Sequence, residues 1–298
     1  MTKIKNKELL LIILAYCLAG VVYAFATPPL EDSDGYKHYP FVQYVQRNWQ
    51  LPVLDPENPG LWLQEAAQPP LYYILMALVT SPIDTSDLPE IHQLNPHAFV
   101  GDPNQVGNKN LIIHQPEKES FPWTGSVLAI YIIRLASIGL GVGTIVVVFR
   151  LGRLLFDDRI ALLAAALTAF NPMFLFVSAA VNNDSLAILL GHVGLYLLVR
   201  LWLDTPEPRT SWRPYLALGI VLGLGLLTKL NLGGLLGLAG LALAWKAWRL
   251  KKAELFFVGG PLVLFPALLV PAAWFWRNWR LYGDLTGLKV FNAVQDAR

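Results

Sequence analysis

The chain is built from long apolar blocks separated by short basic breaks, with one extended polar interruption near its start. A helix needs about 20 mainly apolar residues to cross the hydrocarbon core of a bilayer. Six or seven blocks meet or approach that length, at 9–26, 126–149, 160–181, 185–203, 215–228, 230–245 and 255–276. The fifth and sixth are short and separated only by a tight turn, and Asn171-Pro172 inside the third is a candidate helix break. The pattern predicts an all-α membrane protein, a multi-span bundle of about seven transmembrane helices forming one domain over 1–298. The first block is long for a signal-peptide core, and Thr27-Pro28-Pro29 is a poor cleavage site, so it reads as an uncleaved span. The polar interruption, 27–125, is a long first outer loop. Within it, 69–80 is apolar but too short to span, which predicts a juxtamembrane helix on the outer leaflet. From 81 to 125 the chain is rich in Pro, Asn, Asp and Gly and reads as irregular.

Lys and Arg in short loops set the orientation. With seven spans and a cytoplasmic N-terminus, the inner segments hold Lys3, Lys5 and Lys7, then Arg150, Arg153 and Arg159, then Arg200, Arg209 and Arg213, then Lys246, Arg249, Lys251 and Lys252. The outer segment has only Lys37, Arg47, Lys109 and Lys118 against twelve acids. The expected location is a cell membrane, multi-pass, with the acidic loop outside.

Composition agrees: 55% of residues are hydrophobic and 15% charged, against about 25% charged in soluble domains. Mean hydropathy is +0.46. Net charge is +2, so no nucleic-acid partner is expected. Ten Trp and eleven Tyr suit two membrane interfaces. The single cysteine, Cys17, excludes an internal disulfide and a thiolate metal site.

Under this topology ionisable residues from separate places meet at one surface. Glu31, Asp32, Asp34 and His38 follow the first span, and Arg134 lies in the outer half of the second. Asp184 sits between the third and fourth, Lys229 between the fifth and sixth, and Arg277 after the seventh. Singly each has a bland role: Asp32, Asp34 or Asp184 as a helix cap, Arg134 and Lys229 as snorkelling cations. His92, His97 and His114 lack metal-ligand spacing and read as surface residues, while His192 is expected to bond within the bundle. Together these groups point to chemistry or transport, because ionisable groups near lipid are costly.

Four stretches carry a family resemblance: Glu31-Asp32-Ser33-Asp34-Gly35-Tyr36-Lys37-His38; Gln68-Pro69-Pro70-Leu71-Tyr72-Tyr73; Arg134-Leu135; and Asn171-Pro172 through Asn182-Asn183-Asp184. Gly225-Leu226-Leu227-Thr228-Lys229 and Arg277-Asn278 through Tyr282-Gly283-Asp284 add to them. In this order they resemble GT-C superfamily membrane glycosyltransferases, of the glycosyltransferase family 39 or protein O-mannosyltransferase-like kind. The sequence departs from that pattern at Gly35, where relatives carry a second carboxylate, and at Gln68, where they often carry His or Lys. It also stops at Arg298 soon after the seventh span, so a truncated member is expected.

The resemblance implies sugar transfer from a polyprenyl-phosphate donor to a hydroxyl of a glycan, lipid or protein acceptor at the outer membrane face. It implies Asp34 as general base and Asp184 as a second catalytic carboxylate. Substrate contacts would come from Glu31, Asp32, His38, Tyr72, Tyr73, Arg134, Lys229 and Arg277, with Trp123 also a candidate for the sugar or tail site. No cofactor is expected; two carboxylates leave room for a divalent cation, but the O-mannosyltransferase branch uses none. The rival readings are a multi-span transporter and a non-catalytic membrane assembly subunit.

Overall fold

A computed structural model describes residues 2–32, 34–98 and 110–296. Ser33 of the acidic element and Lys109 fall outside the described residues. The architecture is helical: α1 (Thr2–Ala26), α2 (Gly35–Asn48), α3 (Leu71–Thr80), α4 (Leu88–Ile91), α5 (Pro116–Glu119), α6 (Gly125–Leu155), α7 (Asp158–Ala169), α8 (Pro172–Ser178), α9 (Asp184–Asp204), α10 (Arg213–Leu226), α11 (Gly233–Leu250), α12 (Glu254–Phe257), α13 (Gly259–Leu269), α14 (Ala272–Tyr282) and α15 (Leu288–Asp296). Among the described residues there is no β-strand beyond an isolated bridge between Leu94 and Ile112.

Four stretches are long and apolar enough to cross a membrane: Lys7–Ala26, Gly125–Leu155, Asp184–Asp204 and Leu230–Leu250. Their surfaces are apolar where a soluble protein would be polar. Leu11, Leu18, Leu163, Leu167, Leu241 and Phe265 are all exposed, as lipid-facing side chains should be. The protein is therefore a multi-pass helical membrane protein.

Two of the expected continuous spans are corrected. The block at 160–181 is α7 and α8, bent by 62°. Pro172 has no N–H to continue the helix, Asn171 is pushed to extended backbone, and its side chain accepts from the Met173 and Phe174 amides to start α8. The block at 255–276 is α12 and α13 followed by α14, with a 52° bend around Pro271. By length and composition, up to six crossings are found among the described residues when each bent pair counts once. The seventh apolar segment is α10, whose 14 residues rise about 21 Å at 1.5 Å each, short of a full core. It is packed between α9 and α13. Gly219 permits the close approach, since a Cβ there would stand 2.3 Å from the Val263 carbonyl oxygen.

The described part of the segment between α1 and α6 folds into short helices that pack on one another. The apolar run at 69–80 is the short helix α3, as the pattern predicts, and α2 packs along it. Gln46 fastens the pair, donating to the Thr80 and Ile83 carbonyls and accepting from the Thr85 hydroxyl. The 3-10 turn Leu63–Ala67 lies against α2 and against α15, whose Val290 and Val294 pack on Leu54, Ala66 and Ala67.

Candidate functional site

The turn leaving α1 is built around a buried ion pair. Arg134, on α6, is fully buried and donates to the carbonyls of Ala24 (2.9 Å), Thr27 (2.7 Å) and Pro28 (3.0 Å). These include carbonyls that the end of α1 leaves without helical partners. The same guanidinium lies 3.3 Å from Asp32 Oδ1. Asp32 Oδ2 accepts from the Val181 amide at 2.6 Å, across 149 residues of sequence. One buried arginine and one buried aspartate thus tie the acidic turn to α6 and to the 179–185 connection. Arg134, expected among the substrate contacts, turns its two terminal nitrogens to backbone carbonyls and Asp32.

Gly35 follows from this. A Cβ at position 35 would sit 1.9 Å from Asp32 Oδ1. The Asp32 carboxylate fills the space in which a side chain at 35 would begin, so the absent second carboxylate and the buried Asp32 are one feature.

Asp34 is the exposed member of the group. It stands at the start of α2, its side chain half exposed and 2.8 Å from Lys37 Nζ. Asp184 starts α9 and pairs with Lys229 Nζ at 2.5 Å, with both side chains partly exposed. Three polar links hold the neighbouring segments. The Leu71 amide donates to the Leu227 carbonyl (2.9 Å), Asn183 Nδ2 to the Thr228 carbonyl (3.1 Å), and the Asp184 amide to Asn182 Oδ1 (2.9 Å). The Gln68–Tyr73 element, the Asn182–Asp184 element and the Thr228-Lys229 turn therefore meet, although the chain separates them widely.

Tyr73 belongs to the first of these elements. Its ring is fully buried, stacked on Phe41 at 3.8 Å, and its hydroxyl is 2.7 Å from His38 Nδ1. Burial pushes the phenol well above its usual range, and the negative charges of Glu65, Asp184 and Asp34 add to the effect. Tyr72, equally buried, bonds Ser137 at 2.9 Å, and its phenol is likewise raised by burial, with Asp32 nearby.

The other expected residues lie further out. Glu31 accepts from the Leu111 (3.0 Å) and Ile112 (2.9 Å) amides and from His114 (3.1 Å), so it fastens the returning loop. His114 is not a surface residue: its second ring nitrogen is 2.8 Å from Glu119. His92 is also buried, against the Tyr36 carbonyl at 2.6 Å. His192 bonds the Ile188 carbonyl within α9. Trp123 stacks with Phe25 and Tyr131. Arg277, on α14, donates to the carbonyls of Leu51 and Pro52 in a groove shared with Trp276 and Arg280. Glu65, buried 3.8 Å from His38 Nε2, was missed, because a single Glu three residues before Gln68-Pro69-Pro70 has no pattern of its own. Among the described residues, no group of three or more His, Cys, Asp and Glu is placed to hold a metal ion.

Residues 116–259 match the family described as dolichyl-phosphate-mannose-protein mannosyltransferase. The chain carries a membrane glycosyltransferase domain. The matched stretch of this mannosyltransferase-family domain runs from α5 to the start of α13 and contains Arg134, Asp184 and Lys229. Asp34, His38, Glu65 and Tyr73 precede the match; their segments are tied to it by Asp32 with Arg134 and the Val181 amide, and by the Leu71 amide with the Leu227 carbonyl. Comparison with curated proteins and with solved structures finds no match in either.

Proposed function

We propose that this protein moves a sugar, mannose by the family's description, from a polyprenyl-phosphate donor to an acceptor hydroxyl at the outer membrane face. The observation carrying this reading is the family match over 116–259, whose segments bearing Asp184 and Lys229 are tied to the preceding loop by the Val181 amide on Asp32 and the Leu71 amide on Leu227. Asp34, half exposed, takes the proton as the acceptor oxygen attacks the anomeric carbon. The bond from that carbon to the phosphate oxygen breaks, and polyprenyl phosphate leaves with the electron pair. Asp184 orients the acceptor, and Lys229 beside it offers positive charge to the leaving phosphate. Tyr73 stays protonated and holds His38. Arg134 and Asp32 act by holding the turn that presents Asp34. The acceptor is a hydroxyl of a protein, glycan or lipid, with protein favoured by the family description.

The test is transfer of labelled mannose from a polyprenyl-phosphate donor in isolated membranes. Asp34→Asn is expected to lower the rate at least a hundredfold, within the usual range for loss of a general base, while the protein remains inserted. A variant that still transfers at the normal rate removes Asp34 from the reaction.

The two broken helix pairs give a transporter reading its one support. The break at Asn171-Pro172, however, is capped by its own asparagine, and the charged groups gather at the α2, α3 and α9 ends instead. Donor-independent solute uptake by vesicles holding the purified protein would favour transport.

A further inference from the structure

The turn that carries Glu65 holds three buried side-chain atoms without a hydrogen-bond partner among the described residues: Trp62 Nε1, Gln64 Oε1 and Glu65 Oε2. Leaving one such atom unsatisfied costs about 1–3 kcal/mol, more when it is charged. Three in four residues of sequence call for an occupant that supplies both donors and acceptors.

The local geometry says which kind. Gln64 Nε2 donates to Glu65 Oε1 at 3.0 Å, which holds the amide and the carboxylate side by side and leaves Oε1 of Gln64 and Oε2 of Glu65 as acceptors. Glu65 Oε2 lies 3.8 Å from His38 Nε2, too long for a direct hydrogen bond. The Tyr73 hydroxyl and His38 Nδ1 share a hydrogen bond at 2.7 Å; in the tautomer in which the phenol donates, Nε2 carries a hydrogen toward that gap. A hydroxyl beside the gap can donate to Glu65 and accept from His38 at once. The backbone is strained at the same place: Leu63 has φ of 50°, a left-handed conformation costly for a branched side chain. An anionic phosphate is disfavoured by the carboxylate. Among the described residues no cluster offers a metal site. A neutral polyol fits the mixed set of donors and acceptors.

We propose that the turn at 62–65 recognises the hydroxyl groups of a hexose, with Glu65 and Gln64 as acceptors and His38 Nε2 as donor. This inference rests on the lipid-linked sugar-transfer reading and names the part of the site that distinguishes the sugar from its phosphate.

The experiment is equilibrium binding to the full-length purified protein of two probes, a short-chain prenyl phosphate and the same prenyl phosphate carrying mannose. The native protein is expected to bind the mannosylated probe about tenfold more tightly, the worth of one charge-assisted hydrogen bond. Glu65→Gln and Gln64→Leu, each checked for an unchanged melting temperature, should erase that advantage and leave affinity for the bare phosphate as it was. If the advantage survives in both variants, or the native protein binds the two probes equally, the turn does not read the sugar and the inference fails by itself. If the native protein binds neither probe, the transfer reading fails with it. Should Glu65→Gln melt markedly lower, Gln64→Leu decides alone.

Discussion

Arg134 is a buried cation whose two terminal nitrogens face three carbonyls and one carboxylate. Removing one partner of such a pair leaves the other charged, buried and uncompensated, which costs about 3–5 kcal/mol. Arg134→Ala is therefore expected to lower the melting temperature of the purified protein sharply, and Arg134→Lys to rescue it poorly, because an ammonium lacks the planar fork. Gly35 makes a less intuitive prediction. Restoring the family's carboxylate as Gly35→Glu should damage the protein, since its Cβ would strike Asp32 Oδ1. Overpacking of this kind costs about 1–3 kcal/mol. Higher transfer activity in Gly35→Glu than in the native protein would show that Asp32 does not stand in for the missing group. Residue types and their order marked Asp34, Asp184 and Lys229 in the sequence. The division of labour between Asp32 and Asp34 was not legible there, because two acids two residues apart look alike until burial separates them.

At the scale of elements, the apolar blocks located almost every membrane helix, but continuity of hydropathy hid the bends. Asn171-Pro172 was readable as a break from proline chemistry; the bend near Pro271 lay inside an unbroken apolar run and was not. The C-terminal helix α15 was also invisible as a packing partner. Its Val294, 2% exposed, sits with Val290 against the 63–67 turn. Val294→Asp would bury an unpaired carboxylate, so α15 is expected to undock, at several kcal/mol of local stability. Limited proteolysis should then cut within 284–296 much faster than in the native protein. Equal cutting rates would mean that α15 does not brace the turn holding Glu65.

For the whole molecule, the bundle brings together an N-terminal loop that lies mostly before the family match and a domain within it. That union requires 27–125 and the 182–184 and 228–229 turns to share one side of the membrane. In a Cys17→Ser background, single cysteines at Asp55 and Glu117 are expected to react with a membrane-impermeant maleimide on intact cells. Cysteines at Glu207 and Lys251 should react only after permeabilisation. The opposite labelling would turn the molecule over and place the proposed site in the cytoplasm.

Hydropathy and the placement of Lys and Arg determined by themselves that this is a helical membrane protein with a long acidic loop, since the cost of exposing backbone and charge to lipid is a local property of the chain. The order of short motifs was enough to suggest the family. Which acid is buried and which reaches solvent, and that Glu65 and His38 face each other, came only from the packing of segments far apart in sequence, because burial and ion pairing are decided by whatever neighbour the fold supplies.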